Sequence, residues 1–181
     1  MSSPDTEPVP TVLTIGHSTH SIEAFISLLK LHGVRRLVDV RTIPRSRHNP
    51  QFSRDEMKSS LRRKRIGYKH LPELGGLRRP RKDSPNTGWR NLSFRGFADY
   101  MQTPEFEQGL QKLIEMTSRG RIAIMCAEAV PWRCHHSLIA DALVARGVPV
   151  EDVIGGSRPK PHQITPFAKI NKVRITYPAP D

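Results

Sequence analysis

The densest run of reactive side chains is Cys126-Ala127-Glu128-Ala129-Val130-Pro131-Trp132-Arg133-Cys134-His135. A cysteine at the end of an apolar run, followed by a loop and a helix, is the arrangement phosphatases and sulfurtransferases use for a nucleophile. Two features separate this run from a phosphatase loop. Six residues lie between Cys126 and Arg133, one more than the phosphatase cradle takes, and none is a glycine that would free the backbone N–H groups to converge on an anion. Zinc is an alternative, because Cys126, Cys134 and His135 are suitable ligand types. It would need sequence neighbours to reach one metal and a fourth ligand, such as His17, from elsewhere. A disulfide between Cys126 and Cys134 is disfavoured in a reducing compartment. Glu128, beside arginines, could act as a general base or bind a hydroxyl or amine. It could equally form a salt bridge or cap the helix that starts near Cys134.

Two further groups carry chemistry-competent types. Gly16-His17-Ser18-Thr19 could hold an anion on backbone N–H groups and hydroxyls at a helix start, with His17 as a base or as a turn histidine bonded to the backbone. Asp39 and Arg41 share one side of an extended segment. Such a pair either presents a guanidinium fork to a phosphate or carboxylate, or secures a loop. Arg45-Ser46-Arg47-His48-Asn49-Pro50 adds donors that suit phosphate. Trp89, Trp132, Tyr68 and Tyr100 could stack on bases, but aromatic residues of this kind more often belong to partly buried core.

The elements expected to position these groups alternate. Val12 to Ile15 reads as a strand running into Gly16. A helix capped by Ser21 follows, with Ile22, Phe25, Ile26 and Leu29 on one face and Gly33 as its stop. Val34 to Val40 reads as the next strand, giving a strand–helix–strand unit. Ser53-Arg54-Asp55-Glu56 has the form of a capping box opening a helix that Gly67 would close, and Tyr68 to Leu71 reads as a third strand. Residues 77–92 form an irregular loop, which at this length is more often functional or mobile than a plain connector. Helices are expected over Ser93 to Met101 and from Thr103-Pro104 to Gly120, a buried strand over Arg121 to Met125, a helix from Cys134 to Arg146, and a last core strand from Val148 to Ile154. The expected fold is α/β: a single three-layer domain with a mostly parallel, Rossmann-like sheet spanning 12–154. A flexible lead-in covers 1–11, and a Pro-rich basic C-terminal extension, wrapping the surface or partly disordered, covers 155–181. Such sheets bind ligands beyond the carboxyl ends of their strands, where His17, Asp39, Glu73 and Cys126 would all fall.

The 181 residues carry a net charge of +12, unevenly spread. Arg35 to Arg95 holds 18 basic residues against five acids, and the remainder is close to neutral. A block of this kind binds polyanions by releasing their counterions, or simply forms a solvated basic face. No apolar run approaches the roughly 20 residues that span a bilayer, and Met1 to Thr11 lacks the pattern of a secretory leader. With two cysteines, the expectation is a reduced, cytoplasmic chain without membrane attachment.

The strings Thr14-Ile15-Gly16-His17-Ser18, Leu37-Val38-Asp39-Val40-Arg41, Pro44-Arg45-Ser46, Asn49-Pro50-Gln51-Phe52, Leu74-Gly75-Gly76 and Cys126-Ala127-Glu128 followed by Cys134-His135 together resemble the domain of unknown function 488 family over roughly residues 12–154. The resemblance implies a compact α/β domain and supports these site residues, but names no reaction. This chain has His136 where that family usually has arginine.

The leading expectation is an enzyme-like domain acting on a phosphate-containing ligand, a nucleotide or nucleic acid. Arg41, Arg45, Arg47 and Arg133, with Ser18 and Thr19, would bind phosphate. His17 and Glu128 would exchange protons, Asp39 would orient Arg41, and Cys126 would be the nucleophile in a covalent route. The alternative is a non-catalytic nucleic-acid-binding module using the 35–95 block, including Arg62 to Arg65. A metal-binding or cysteine-dependent protein is the third reading. No cofactor is indicated by the sequence.

Overall fold

In the computed structural model, residues 10–156 and 158–181 are described, so the expected lead-in at 1–11 lies outside them except for its last two residues. Val12, Val38, Ile122 and Ile124 face one side of a central sheet, while Leu13, Ile15, Leu37, Ala123 and Met125 face the other. Strands apolar on both faces must be covered on both faces, and that produces three layers.

Five strands run parallel in the order β3 (Gly67–His70), β2 (Arg36–Asp39), β4 (Ile122–Cys126), β1 (Val12–Gly16), β5 (Val150–Asp152), and a short antiparallel strand β6 (Lys160–Pro161) extends the β5 edge. Helices α1 (Ile22–Leu31) and α2 (Arg54–Arg63) cover one face through Phe25, Leu29, Met57 and Leu61. Helices α3 (Leu92–Tyr100), α4 (Pro104–Met116) and α5 (His136–Ala145) cover the other through Phe97, Phe106, Leu110, Leu138 and Leu143. The α/β class and its mostly parallel sheet are as the sequence implies.

Ser21 caps α1 by accepting from Ala24 N–H, and Thr103 caps α4 ahead of Pro104. Asn91 caps α3, starting it one residue earlier than the apolar pattern indicates. Ser53 stands at the head of α2 without a side-chain capping bond. The stop of α2 also falls short of Gly67. Arg65 takes the left-handed conformation (φ 60°) and Ile66 N–H bonds Leu61 C=O, returning Ile66 to the core. Gly67 is thereby left to begin β3.

Residues after β5 do more than lie over the surface. β7 (Lys169–Asn171) and β8 (Arg174–Thr176) form a hairpin, and Ile175 and Tyr177 are fully buried in the core beside α5. His162 bridges two buried carboxylates, Asp141 at 2.8 Å and Asp152 at 2.9 Å, while Thr14, Thr165 and the Tyr177 hydroxyl complete the network. The 77–92 loop is pinned rather than free. Asp99 accepts from Arg81 N–H, the Ser84 hydroxyl and the Asn86 amide, and Asn86 in turn accepts from Tyr177 N–H. No helix among the described residues is long and apolar enough to cross a membrane.

Candidate functional site

β1 and β4 are neighbours, with Gly16 opposite Cys126, and β2 flanks β4 with Asp39 opposite Met125. The helix after β1 packs on one face and the helix after β4 on the other, so the connections diverge at this edge, where open α/β sheets hold ligands. The β4 loop crosses over the end of β1 so closely that a Cβ on Gly16 would lie 1.7 Å from Glu128 C=O. On the β2 side of Cys126 a cavity of about 450 Å³ opens. Arg41, Arg45, Gly76, Cys126, Glu128, Arg133, Cys134 and His135 contribute to its wall.

The two sulfurs meet at its floor. Cys134 Sγ donates toward Cys126 Sγ at 2.7 Å, and both side chains are otherwise buried. His135 Nε2 lies 2.9 Å from Val40 C=O and 3.1 Å from Leu74 C=O, two acceptors that require the ring to carry its proton there. The Nδ1 lone pair is thereby turned to Cys134 Sγ at 3.5 Å. Phe97 braces the ring edge-on, and Gly76 makes room for it, since a Cβ there would lie 3.1 Å from Nδ1. The Cys134 hydrogen bond, helped by His135 and His136, holds the Cys126 thiol well below its ordinary value against the opposing effect of burial. Cys134 is pushed up, first by its bond to Cys126 and then by burial. Of the pair, Cys126 is thus the sulfur whose surroundings favour the anion. The first turn of α5 starts at His136, whose backbone N–H reaches Cys134, and its N-terminal dipole favours negative charge beside the sulfur pair.

Cys126, Cys134 and His135 also place their donor atoms within 4.8 Å of one another, as the metal alternative needs. Two thiolates on one tetrahedral zinc sit about 3.7 Å apart, so the sulfurs would have to part by about 1 Å.

A second network lies behind the cavity wall. Asp39, fully buried, accepts from Arg41 Nε at 2.9 Å, Arg41 Nη2 at 2.7 Å, Arg41 N–H at 3.1 Å and the Tyr68 hydroxyl at 2.6 Å. Arg41 Nη2 also donates to Phe52 C=O, and Nη1 lies 3.5 Å from His17 Nε2. Burial pushes His17 below its ordinary value, so the ring is neutral, donating from Nδ1 to Ser18 C=O and stacking on Phe52 at 4.3 Å. Burial opposes the Arg41 charge, but the bonds to Asp39 outweigh it.

The proposed site residues thus divide. Cys126, Arg41, Arg45, Glu128, Arg133, Cys134 and His135 come together at the cavity. His17 and Asp39 stand behind Arg41, while Ser18, Thr19 and the exposed Arg47 do not contribute to the wall. Arg45, Arg133 and Glu128 are exposed, and none makes an ion pair among the described residues. Of the aromatics, Trp89 packs against Phe94 and Phe167, Tyr68 serves Asp39, and Tyr100 bonds Glu73 C=O beneath the Arg78 guanidinium. Trp132 remains 66% exposed. Residue types alone did not point to Gly76, Tyr68 or Phe52 as supports. The only signal for the sulfur contact was that a strand end and the following helix start must converge.

A family model described as a domain of unknown function, DUF488, matches residues 21–143. The chain belongs to the DUF488 family. The match begins at the cap of α1 and takes in the Asp39–Arg41 network, Gly75-Gly76 and both cysteines with His135. Neither a curated protein nor a solved structure was found to match.

Proposed function

We propose that the protein is an enzyme acting on a phosphate-bearing ligand, a nucleotide or nucleic acid, with Cys126 as nucleophile. One observation carries this reading: the Cys126 sulfur lies on the floor of a cavity beside the α5 N-terminus and rimmed by Arg45 and Arg133, which make no ion pair among the described residues. The helix end takes the place of the glycine-rich cradle that the loop lacks. Arg45 and Arg133 hold the ligand's charge, whereas Arg41, committed to Asp39, positions the β2 loop. In the first step a bond forms from Cys126 Sγ to phosphorus as the bond to the leaving oxygen breaks, its electron pair going to that oxygen, which is protonated by water. Water then attacks phosphorus, Glu128 takes its proton, and the sulfur leaves as thiolate.

The test is the rate at which iodoacetamide alkylates Cys126, with and without inorganic phosphate, mononucleotides and short single strands. A ligand that belongs in the site slows alkylation at least tenfold at saturation, and Arg45→Ala with Arg133→Ala removes that protection. No protection by any of the three would end the proposal. The non-catalytic alternative is favoured by the exposed Arg62, Arg63, Lys64 and Arg65 at the end of α2. It requires nucleic-acid affinity that falls steeply with salt and is unchanged by Cys126→Ser.

A further inference from the structure

We infer that Cys126 and Cys134 form a redox-active dithiol, in which Cys126 attacks and exchanges with a small anionic disulfide and Cys134 closes the internal bond. The inference rests on Cys126 being the nucleophile of this site, but not on the ligand being a phosphate.

Three observations converge on it. The sulfurs are 2.7 Å apart, inside the about 3.5–4.0 Å at which even non-bonded carbon atoms rest. A disulfide of about 2.05 Å is reached by a further approach of about 0.7 Å. Each cysteine is placed by its own element, Cys126 by the last position of β4 and Cys134 by the turn leading into α5. The contact therefore belongs to the fold and not to a chance loop conformation. Beside it, His135 has its Nε2 proton held by two backbone carbonyls and its Nδ1 lone pair 3.5 Å from Cys134 Sγ, where it can receive the Cys134 proton. Both sulfurs reach the cavity wall, and among the described residues that line it Arg45 and Arg133 outnumber the one acid, Glu128. That balance selects a disulfide bearing carboxylates.

The steps balance. The Cys126 thiolate attacks one sulfur of the small disulfide, a mixed disulfide forms, and the first small thiolate leaves. Cys134 passes its proton to His135 Nδ1, and its sulfur attacks Cys126 Sγ. The bond between Cys126 and the small thiol breaks, and the second thiolate leaves with the proton from His135. Two electrons pass from the protein dithiol to the disulfide.

The experiment equilibrates the full chain in glutathione buffers of stepped oxidised-to-reduced ratio, quenches with acid, and maps the thiols by peptide mass spectrometry. The expected result is one transition from free dithiol to a Cys126–Cys134 disulfide. Cys134→Ser should stop at a glutathione adduct on Cys126, and Cys126→Ser should take up none. Oxidised glutathione should react roughly tenfold faster than the neutral hydroxyethyl disulfide, a gap that narrows in Arg45→Ala/Arg133→Ala. The wild-type titration needs no variant to fold. The inference is overturned if both thiols stay free in the most oxidising buffer. It is also overturned if the adduct forms on Cys134, or if stoichiometric metal must be stripped before either thiol reacts. Phosphate protection of Cys126 without a disulfide would leave the phosphate proposal standing and remove this one. A disulfide without phosphate protection would do the reverse.

Discussion

Asp39 accepts four hydrogen bonds with no exposure to solvent, and three of them come from Arg41. Removing one member of a buried ion pair leaves the other charge without compensation, which costs about 3–5 kcal/mol. Asp39→Asn should therefore lower unfolding stability by about that much. Tyr68→Phe removes one neutral donor and leaves the pair intact, so it should cost about 1–2 kcal/mol. Urea unfolding of the two variants checks the ranking, and equal losses would contradict the view that the charge pair dominates. The Asp39–Arg41 pairing was legible from a spacing of two residues on an extended segment. Its third member was not, because Tyr68 arrives from β3 only through the parallel register that sets Asp39 opposite His70.

The helices α1, α2 and α5 end in the same way, each with a left-handed residue followed by an apolar residue whose N–H bonds back five positions. The residues are Gly33 before Val34, Arg65 before Ile66 and Gly147 before Val148. In two of them glycine takes the left-handed position without strain, whereas in α2 an arginine does. Arg65→Gly should raise stability by about 0.5–1 kcal/mol, the relief of strain exceeding the added freedom of the unfolded chain. A urea midpoint unchanged or lowered by Arg65→Gly would show that the Arg65 side chain contributes more than its backbone strain. The helix stops at Gly33 and Gly147 could be read from residue type. The stop at Arg65 could not, because burial of Ile66 overrides the preference for glycine.

The C-terminal segment is tied to the sheet through His162, held between Asp141 and Asp152. Burial alone would lower its pKa, but the hydrogen bonds to Asp141 and Asp152 overcome this and raise it to about 9 from the ordinary 6.5. A group whose pKa is raised in the folded state contributes its full stability below its unfolded value and loses it as pH climbs through the folded one. The His162 contribution, on the order of 3 kcal/mol, should thus be complete below about pH 6.5 and fade toward pH 9. Asp152, held low by His162 and Thr14 against burial, contributes above its ordinary value and loses that contribution in acid. Thermal melts at pH 6 and pH 9.5 should show a drop in the wild type that is largely absent in His162→Asn. An identical drop in both would assign the loss to other groups.

Periodicity and cap residues were enough to determine the alternation of strands and helices, the two-sided burial of β1 and β4, and the gathering of strand-end residues at one edge. These depend on spacing along the chain, and neighbours in sequence carry that information. Only the tertiary structure decided which of those residues meet. It turned Arg41 and His17 inward upon Asp39 and Phe52, brought Cys134 onto Cys126, and set His135 between two carbonyls, one just after β2 and one from the Leu74 turn. It also drew Tyr177 and His162 from a proline-rich tail into the core. Each of these contacts depends on strand order, and a chain that inserts β4 between β2 and β1 after completing β3 gives no local signal of that order.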